Sequence, residues 1–502
     1  MKKFMIAFLT LAFLITGVFA GVSCGETDNN TGGSPQGQAN APENGGGDQQ
    51  SEAAAEEISP PVLPDLNLNG ADFVIMTNDY GIPIWSQRDI GADEETGDTI
   101  NDAVYKRNSV IEEKFNCTIV EKKEGDLNGR LKRIVRAGDP DVDAATPRLF
   151  GALKDLTVSN YLIEFSNLAY IDLSKPWWDQ NCVRDMSIAN KLFGVASDMT
   201  LMDKDSTSAM VFNKKLQADY QIENIYQLVT DGKWTLDKLL ELAKVVSIDV
   251  DGNGTMDDKD AYGLLYQRDS MTSFLSGCNE FVSRKDENDF PVMTLNTPKA
   301  LEVLDKLYDI LYDENYCFNV MKFFDRIGKD FTEGMNGIFQ NDRALFMWIR
   351  MADVENLRSM DTDFGILPIP KYNEQQKDYL QTVNPYVGIV TVVPQSAASI
   401  ENSGIILEAM AYESKYILQP AYYEVALNTK IARDEESGKM LDIIFGNRAY
   451  DMGEIYNFGE IGRELPIMTM TFDRNIVSKY EQREAKALRE IEDLVETILG
   501  LE

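Results

Sequence analysis

The sequence predicts an α/β protein built on parallel strands and large enough to form two lobes. Two observations carry this. Segments with strand-like and helix-like patterns alternate once the first sixty residues are past, the sequence signature of parallel β-strands joined by helices. The chain has 502 residues, 44% of them hydrophobic. Roughly 440 remain for folded structure after an apolar leader and a polar tether, enough for two cores of ordinary size.

The elements follow in order. Asp72-Phe73-Val74-Ile75-Met76 reads as the opening strand. Ile100 to Phe115 reads as a helix, with Val104, Ile111 and Phe115 at helical spacing. Cys117 to Val120 is a second strand and Leu127 to Val135 a second helix, broken by Gly138-Asp139-Pro140. Val142 to Ala145 is a short buried strand. Further on, Leu236, Leu239, Leu240, Ala243 and Val246 mark a helix capped by Thr235. Ala344 to Phe346 and Phe364 to Leu367 read as strands, and Val387 to Val393 as a β-branched strand ended by Pro394. Residues 401 to 416 form another helix. The last element, about 474 to 499, should dock through Ile476, Tyr480, Leu488, Ile491, Val495 and Ile498. No internal repeat is evident.

The N-terminus reads as an export signal. Lys2 and Lys3 precede an apolar run from Phe4 to Phe19, then Gly21-Val22-Ser23-Cys24. A basic start, a short apolar stretch and small residues at a cleavage site describe a secretory leader over 1–23. The cysteine resembles that of a bacterial lipobox, which implies diacylation at Cys24, although Gly21 stands where Leu is usual. The alternative is an ordinary secreted protein with an incidental Cys24. Residues 24–58, rich in Gly, Asn, Gln, Ala, Ser and Glu, cannot offset their ordering entropy and read as a disordered tether. Lipid anchoring at the outer face of the cell membrane is the expectation.

Composition excludes several function classes. With 48 Lys+Arg against 82 Asp+Glu the formal net charge is -34, which disfavours nucleic acid and fits a neutral or cationic ligand. No histidine is present, so Ser-His-Asp and Cys-His nucleophiles and His-ligated zinc are ruled out. Carboxylate-only glycoside hydrolysis remains open on composition, but no acid and nucleophile stand in a recognisable motif. Cys117, Cys182, Cys278 and Cys317 lack CxxC spacing, and both disulfide pairing and buried reduced thiols remain open.

The sharpest short motif is Asp249-Val250-Asp251-Gly252-Asn253-Gly254-Thr255-Met256-Asp257-Asp258-Lys259-Asp260. It fits the calcium-loop pattern, with Asp249, Asp251, Asn253, the Thr255 carbonyl, Asp257 and Asp260 as oxygen donors and Gly254 at the sharp turn. Position twelve holds Asp260 where Glu is usual, and a strand, Tyr262 to Tyr266, follows where a second helix would stand. The expectation is a structural Ca2+ clip. An acidic surface turn without an ion is the bland alternative. An adhesion or cellulosome-type module would carry the loop in duplicate, and here it occurs once.

Several segments in a shared order resemble the family 1 extracellular solute-binding proteins, the group that includes maltose-binding protein. They are Gly97-Asp98-Thr99-Ile100-Asn101-Asp102-Ala103-Val104-Tyr105, Asp143-Ala144-Ala145-Thr146-Pro147-Arg148, Ile171 to Asp179, Phe212-Asn213-Lys214-Lys215, Asp231-Gly232-Lys233-Trp234-Thr235, Asp363 to Pro368, and Leu407-Glu408-Ala409 with Pro420-Ala421-Tyr422-Tyr423. The resemblance implies a two-lobed, periplasmic-binding-protein-like (type II) α/β fold over 59–502, with a hinge and a central ligand cleft. Lobe 1 would hold about 66–175 and 388–445, and lobe 2 about 180–385 and 446–502. It also implies a monomeric, non-enzymatic receptor that closes on a small molecule and delivers it to ABC permease subunits. A sugar, and within that class an oligosaccharide, is the expected ligand. A peptide, a polyamine or a glycerophosphodiester is the alternative, the last disfavoured by the negative charge.

Sugars offer apolar C–H faces and a ring of hydroxyls, so their sites combine aromatic platforms with carboxylate, amide and guanidinium groups. The resemblance places such contacts at Arg148, Asp205, Trp348, Arg350, Asn384 and Tyr386. Trp348 could equally be core, and Arg148 and Arg350 inter-lobe ion pairs. Trp85 reads as a ligand stacker or a lobe cover, and Trp177-Trp178 as hinge packing.

Overall fold

The computed structural model describes residues 59–501 apart from 80, 83–84, 324–330 and 429–434. Cys24, the leader and the tether lie outside the described residues. Strand β1 (Ala71–Asn78) is flanked by two parallel partners, β2 (Cys117–Glu124) and β3 (Ala144–Ala145). The helix Thr99–Phe115 makes the first crossover and Leu127–Ala137 the second. Asp98 caps the first by accepting the Ile100 and Asn101 N–H groups. Gly138 ends the second at φ +66°, a left-handed position that only glycine takes without strain.

Val387 to Val393, expected as a strand, forms no regular ladder. It makes single bridges, Ile389 to Arg148, Thr391 to Val195 and Val392 to Ala145, and Pro394 meets Leu162. These partners come from separate segments, so no continuous register develops. The segment still closes the edge of the first sheet, with Ile389, Val390, Val392 and Val393 buried.

From Asp198 to Thr207 the chain passes to a second sheet. It then runs through β4 (Ser208–Asn213), β5 (Tyr262–Tyr266), the hairpin β6 (Ser283–Lys285) and β7 (Pro291–Met293), β8 (Cys317–Asn319), β9 (Ala344–Arg350) and β10 (Phe364–Leu367). Five of these pair in the order β10-β4-β9-β5-β8. The expectation of parallel strands is met only in part here. β4 runs antiparallel to both β9 and β10, while β5 is parallel to β8 and β9. β4 enters from the crossing segment through the single-turn helix Met202–Asp205 and not by a crossover from a neighbouring strand of its own sheet, which leaves it free to run against its neighbours. Trp348 and Arg350 were expected just after the Ala344–Phe346 strand; they lie within β9, which extends to Arg350.

The helix Leu236–Val246 starts where Thr235 accepts the Lys238 N–H, as its sequence pattern predicts. The chain returns to the first sheet through β11 (Gln381–Thr382), which pairs in parallel with β12 (Arg448–Ala449). The intervening helix Glu435–Gly446 packs on β10, and Tyr226 and Ser437 share a buried hydroxyl hydrogen bond of 3.0 Å. The last helix, Ile476–Leu499, buries Ile476, Tyr480, Ala487, Ile491, Leu494 and Ile498. Leu488, expected on that face, is 52% exposed. Ala487 takes its place because Gly459, at φ +59°, presses close: a Cβ there would stand 2.9 Å from that of Ala487.

A buried ion cluster sits where the crossings meet. Arg448 pairs with Asp179 at 2.7 Å and Asp203 at 2.6 Å, Lys204 lies 3.6 Å from Asp203, and the Tyr450 hydroxyl donates to Asp179 at 2.8 Å. Trp177 and Trp178 are fully buried, and their indole N–H groups donate to the two oxygens of Glu408 at 3.1 and 2.9 Å. Burial pushes the Glu408 carboxyl up to about 7. Cys117, Cys182, Cys278 and Cys317 are all buried and free.

Candidate functional site

β5 and β9 are parallel neighbours, so their C-terminal ends emerge on the same side of the second sheet. In open α/β sheets that side is where ligands bind. Gln267 to Asp269 follow β5, Trp348 and Arg350 end β9, and the short helix Met351–Leu357 carries Asp353 and Glu355. Three loops from the first sheet's side meet this surface: Trp85 to Arg88 after β1, Arg148 to Phe150 after β3, and Asn384 to Tyr386 after β11.

Arg350 is buried, and its Nε donates to Asp353 at 2.9 Å. Its guanidinium also lies over the Trp85 ring, 4.2 Å from the centroid. The ion pair is therefore within one segment, and the reach to the first sheet's side is a cation–π contact. Asp205 accepts the Tyr422 hydroxyl at 2.9 Å and lies 3.9 Å from Arg88, which also stands 4.0 Å from Glu355. Burial pushes the Asp205 carboxyl up to about 6, against the pull of Arg88.

Asn384 donates its amide to Asp269 at 3.3 Å and accepts the Tyr386 backbone N–H at 3.0 Å. The Tyr386 ring packs on Phe150 with centroids 4.5 Å apart, and Arg463 lies 6.0 Å from the Phe150 centroid. Gln267 accepts the Asp269 N–H, which joins this half of the site to the Trp348–Arg350 half.

Five of the six expected ligand residues thus fall into two groups linked by the Gln267–Asp269 turn. Arg148 stands two residues before Phe150, half-buried and bridged through its backbone to Ile389. Trp348 is 1% exposed and part of the second sheet's core, so it offers no ring face to a ligand. Trp177 and Trp178 are bound to Glu408 and take no part. Sequence reasoning missed Gln267, Asp269, Phe150, Arg88 and Tyr422. The first two were signalled by polar residues directly after the strand Tyr262–Tyr266. Arg88 and Tyr422 carried no local signal.

The calcium-type loop lies at the opposite end of β5, away from this surface. Carboxylate oxygens of Asp249, Asp251 and Asp260 all lie within 4.8 Å of one another. Gly252 and Gly254 take φ +68° and +81°, and Asp249 accepts both of their N–H groups at 2.7 Å, which holds its carboxyl below the usual carboxylate range. Asp260 is buried and accepts the Val250 and Asp257 N–H groups at 2.9 and 2.7 Å. Arg343, next to β9, donates to the Asp258 carbonyl at 2.7 Å. The donor set is all oxygen and suits a hard cation.

No protein-family model matches the chain, and no curated protein matches it. Solved structures do. UspC of M. tuberculosis aligns at a TM-score of 0.56 and 13% identity, covering 83% of this chain and 100% of that one. A sugar transporter from Rhizobium etli in an open conformation aligns at 0.55 and 11% identity, covering 86% and 100%. A cyclo/maltodextrin-binding protein complexed with maltotetraose aligns at 0.51 and 14%, covering 86% and 97%. At such identities the likeness is one of fold: the chain has the two-lobed α/β fold of these proteins.

Proposed function

We propose that the chain is a family 1 solute-binding protein, a lipid-anchored extracytoplasmic receptor that captures a carbohydrate and hands it to an ABC permease. The observation that carries the reading is the Trp85–Arg350 contact across the cleft. A loop of one lobe already reaches the strand end of the other, in a cleft walled by aromatic, amide, carboxylate and guanidinium groups. Lobe closure around a sugar needs that arrangement. The matched folds support it, since one of those proteins was solved with maltotetraose and another is described as a sugar transporter. An oligosaccharide fits better than a monosaccharide, because the aromatic pair Phe150–Tyr386 and the Trp85–Arg350 contact mark two places along the cleft.

The receptor acts as a monomer without catalysis. Cys24 is the lipid site, and the acyl chains on it hold the receptor at the outer face of the membrane. Among the described residues no helix is long and apolar enough to cross a membrane. The loop Asp249–Asp260 holds Ca2+ as a structural clip. It sits at the far end of a five-residue strand, about 16 Å from the cleft, and so braces the lobe without touching ligand.

Two experiments test this. Calorimetric titration with maltotriose, cellotriose, xylotriose and mannotriose should give a micromolar Kd for at least one; binding of a peptide or polyamine set and no glycan overturns the carbohydrate reading. Cys24→Ala should move the protein from the membrane fraction to the soluble fraction, and retention in the membrane overturns the anchor.

A further inference from the structure

Gln267 and Trp348 meet in a small cavity that also touches Asn336, Ile349, Arg350 and Asp353. Its free space, about 10 Å³, is what a single oxygen atom or one water fills. Two donors in its wall are unused. The Trp348 Nε1–H and the Gln267 Nε2 amide are buried with no hydrogen-bond partner among the described residues, in side chains 1% and 0% exposed. Native proteins rarely leave such groups unpaired, because each keeps its full desolvation penalty. Gln267 cannot swing away to relieve this, since its other atom accepts the Asp269 N–H at 3.2 Å.

The chemistry of the walls selects the guest. An indole N–H only donates, and the free end of the amide only donates, so the guest must accept twice. Asp353 and Asn336 are on hand to take a proton from it. A carboxylate accepts from both donors but has no proton to give the acceptors in the wall. An ammonium has no lone pair for either donor. A hydroxyl accepts two N–H groups and gives one O–H.

We infer that this cavity is a one-oxygen subsite at the inner end of the cleft, which takes a single hydroxyl of the bound carbohydrate through Trp348 Nε1 and Gln267 Nε2. The inference rests on the carbohydrate reading above and gives Trp348 a role as a hydrogen-bond donor from the core. The Trp85 ring lies over Arg350, one of the residues that line the cavity. A site built to bond a hydroxyl rejects the analogue that lacks it, so the subsite also contributes specificity.

The test uses the full chain and whichever of maltotriose, cellotriose, xylotriose or mannotriose binds it. Gln267→Met removes one donor, and Trp348→Phe removes the other while keeping an aromatic ring in the core. Each should weaken binding at least about tenfold. Gln267→Met also takes away the acceptor of the Asp269 N–H, so its sugar-free melting temperature should fall modestly, and the loss of affinity is read on the folded variant at a temperature well below that melt. Wild-type affinity in Gln267→Met overturns the subsite and leaves the carbohydrate reading standing. Failure of all four trisaccharides to bind the unaltered protein overturns the carbohydrate reading, and the subsite falls with it.

Discussion

The guanidinium of Arg350 lies 4.2 Å from the centre of the Trp85 ring, so one residue at the end of β9 and one in the loop after β1 are in contact. Cation–π contacts of this kind contribute about 0.5–2 kcal/mol. Trp85→Ala should therefore weaken sugar affinity about two- to thirtyfold, by destabilising the closed state, while leaving the melting temperature of the sugar-free protein within a degree or two. Calorimetry and a thermal melt on the same sample check both halves. An unchanged Kd would mean that the contact plays no part in closure.

Arg448 holds two buried carboxylates together where the chain crosses between lobes. Arg448→Met leaves Asp179 and Asp203 buried with Lys204 as the nearby cation and the Tyr450 and Thr200 hydroxyls as neutral donors, and should cost about 3–5 kcal/mol. Replacing all three by Met, Asn and Asn should recover much of that loss, since removing a whole buried ion pair is far less costly than breaking it. Denaturant melts of the two variants decide the matter.

Several buried carboxyls, Asp89, Asp198 and Glu454 among them, are pushed up by burial, and three give the pH response its steepest part between about pH 4 and 7. Burial pushes Asp205 to about 6, Asp451 to about 6 and Glu408 to about 7. Each value lies above that of the unfolded chain, so the folded protein keeps protons that the unfolded one has released. Stability from these groups is highest below about pH 4, falls as pH rises from there to about 7, and is level beyond. The melting temperature should be higher at pH 5 than at pH 7.5, and Asp205→Asn should flatten part of that slope. A melting temperature that rises over this interval contradicts the assignment.

The calcium loop makes a prediction that separates ion from scaffold. Added Ca2+ should raise the melting temperature and EDTA should reverse it, with about 2.7 kcal/mol gained at a hundredfold excess over Kd. Asp251 accepts the Asn253 N–H within the loop and faces solvent, so Asp251→Ala should abolish the calcium effect with little change in the calcium-free melt. Asp260 also ties down the Val250 and Asp257 backbone, so Asp260→Ala should lower both. If EDTA changes nothing and elemental analysis finds no calcium, the clip reading fails.

The elements that the sequence announces are those governed by local rules. Thr235, Gly138 and the alternation up to Ala145 each declare a cap, a stop or a crossover within a few residues. Leu488 misled because helical spacing alone does not reveal which face a glycine such as Gly459 will approach. Val387 to Val393 is β-branched as a strand should be, but its pairing depends on partners two hundred residues away. The reversed direction of β4 is a matter of topology and leaves no mark in its own residues. In the site, the polar residues after strand ends were legible in kind. Trp348 was not, since a tryptophan in a strand looks the same whether its ring or only its N–H faces a cavity. The Arg88–Asp205–Tyr422 link joins residues more than three hundred positions apart, and only the fold brings them together.

The four free thiols have a practical consequence. Thiolate, not thiol, is the reactive form, and burial pushes Cys117 up to about 11 and the other three further still. A chain starting at Ser59 contains no cysteine besides these four. One cysteine placed on the cleft rim, at Glu355 for example, would then be the only group to take a maleimide dye, turning the receptor into a reagentless optical sensor for its own ligand.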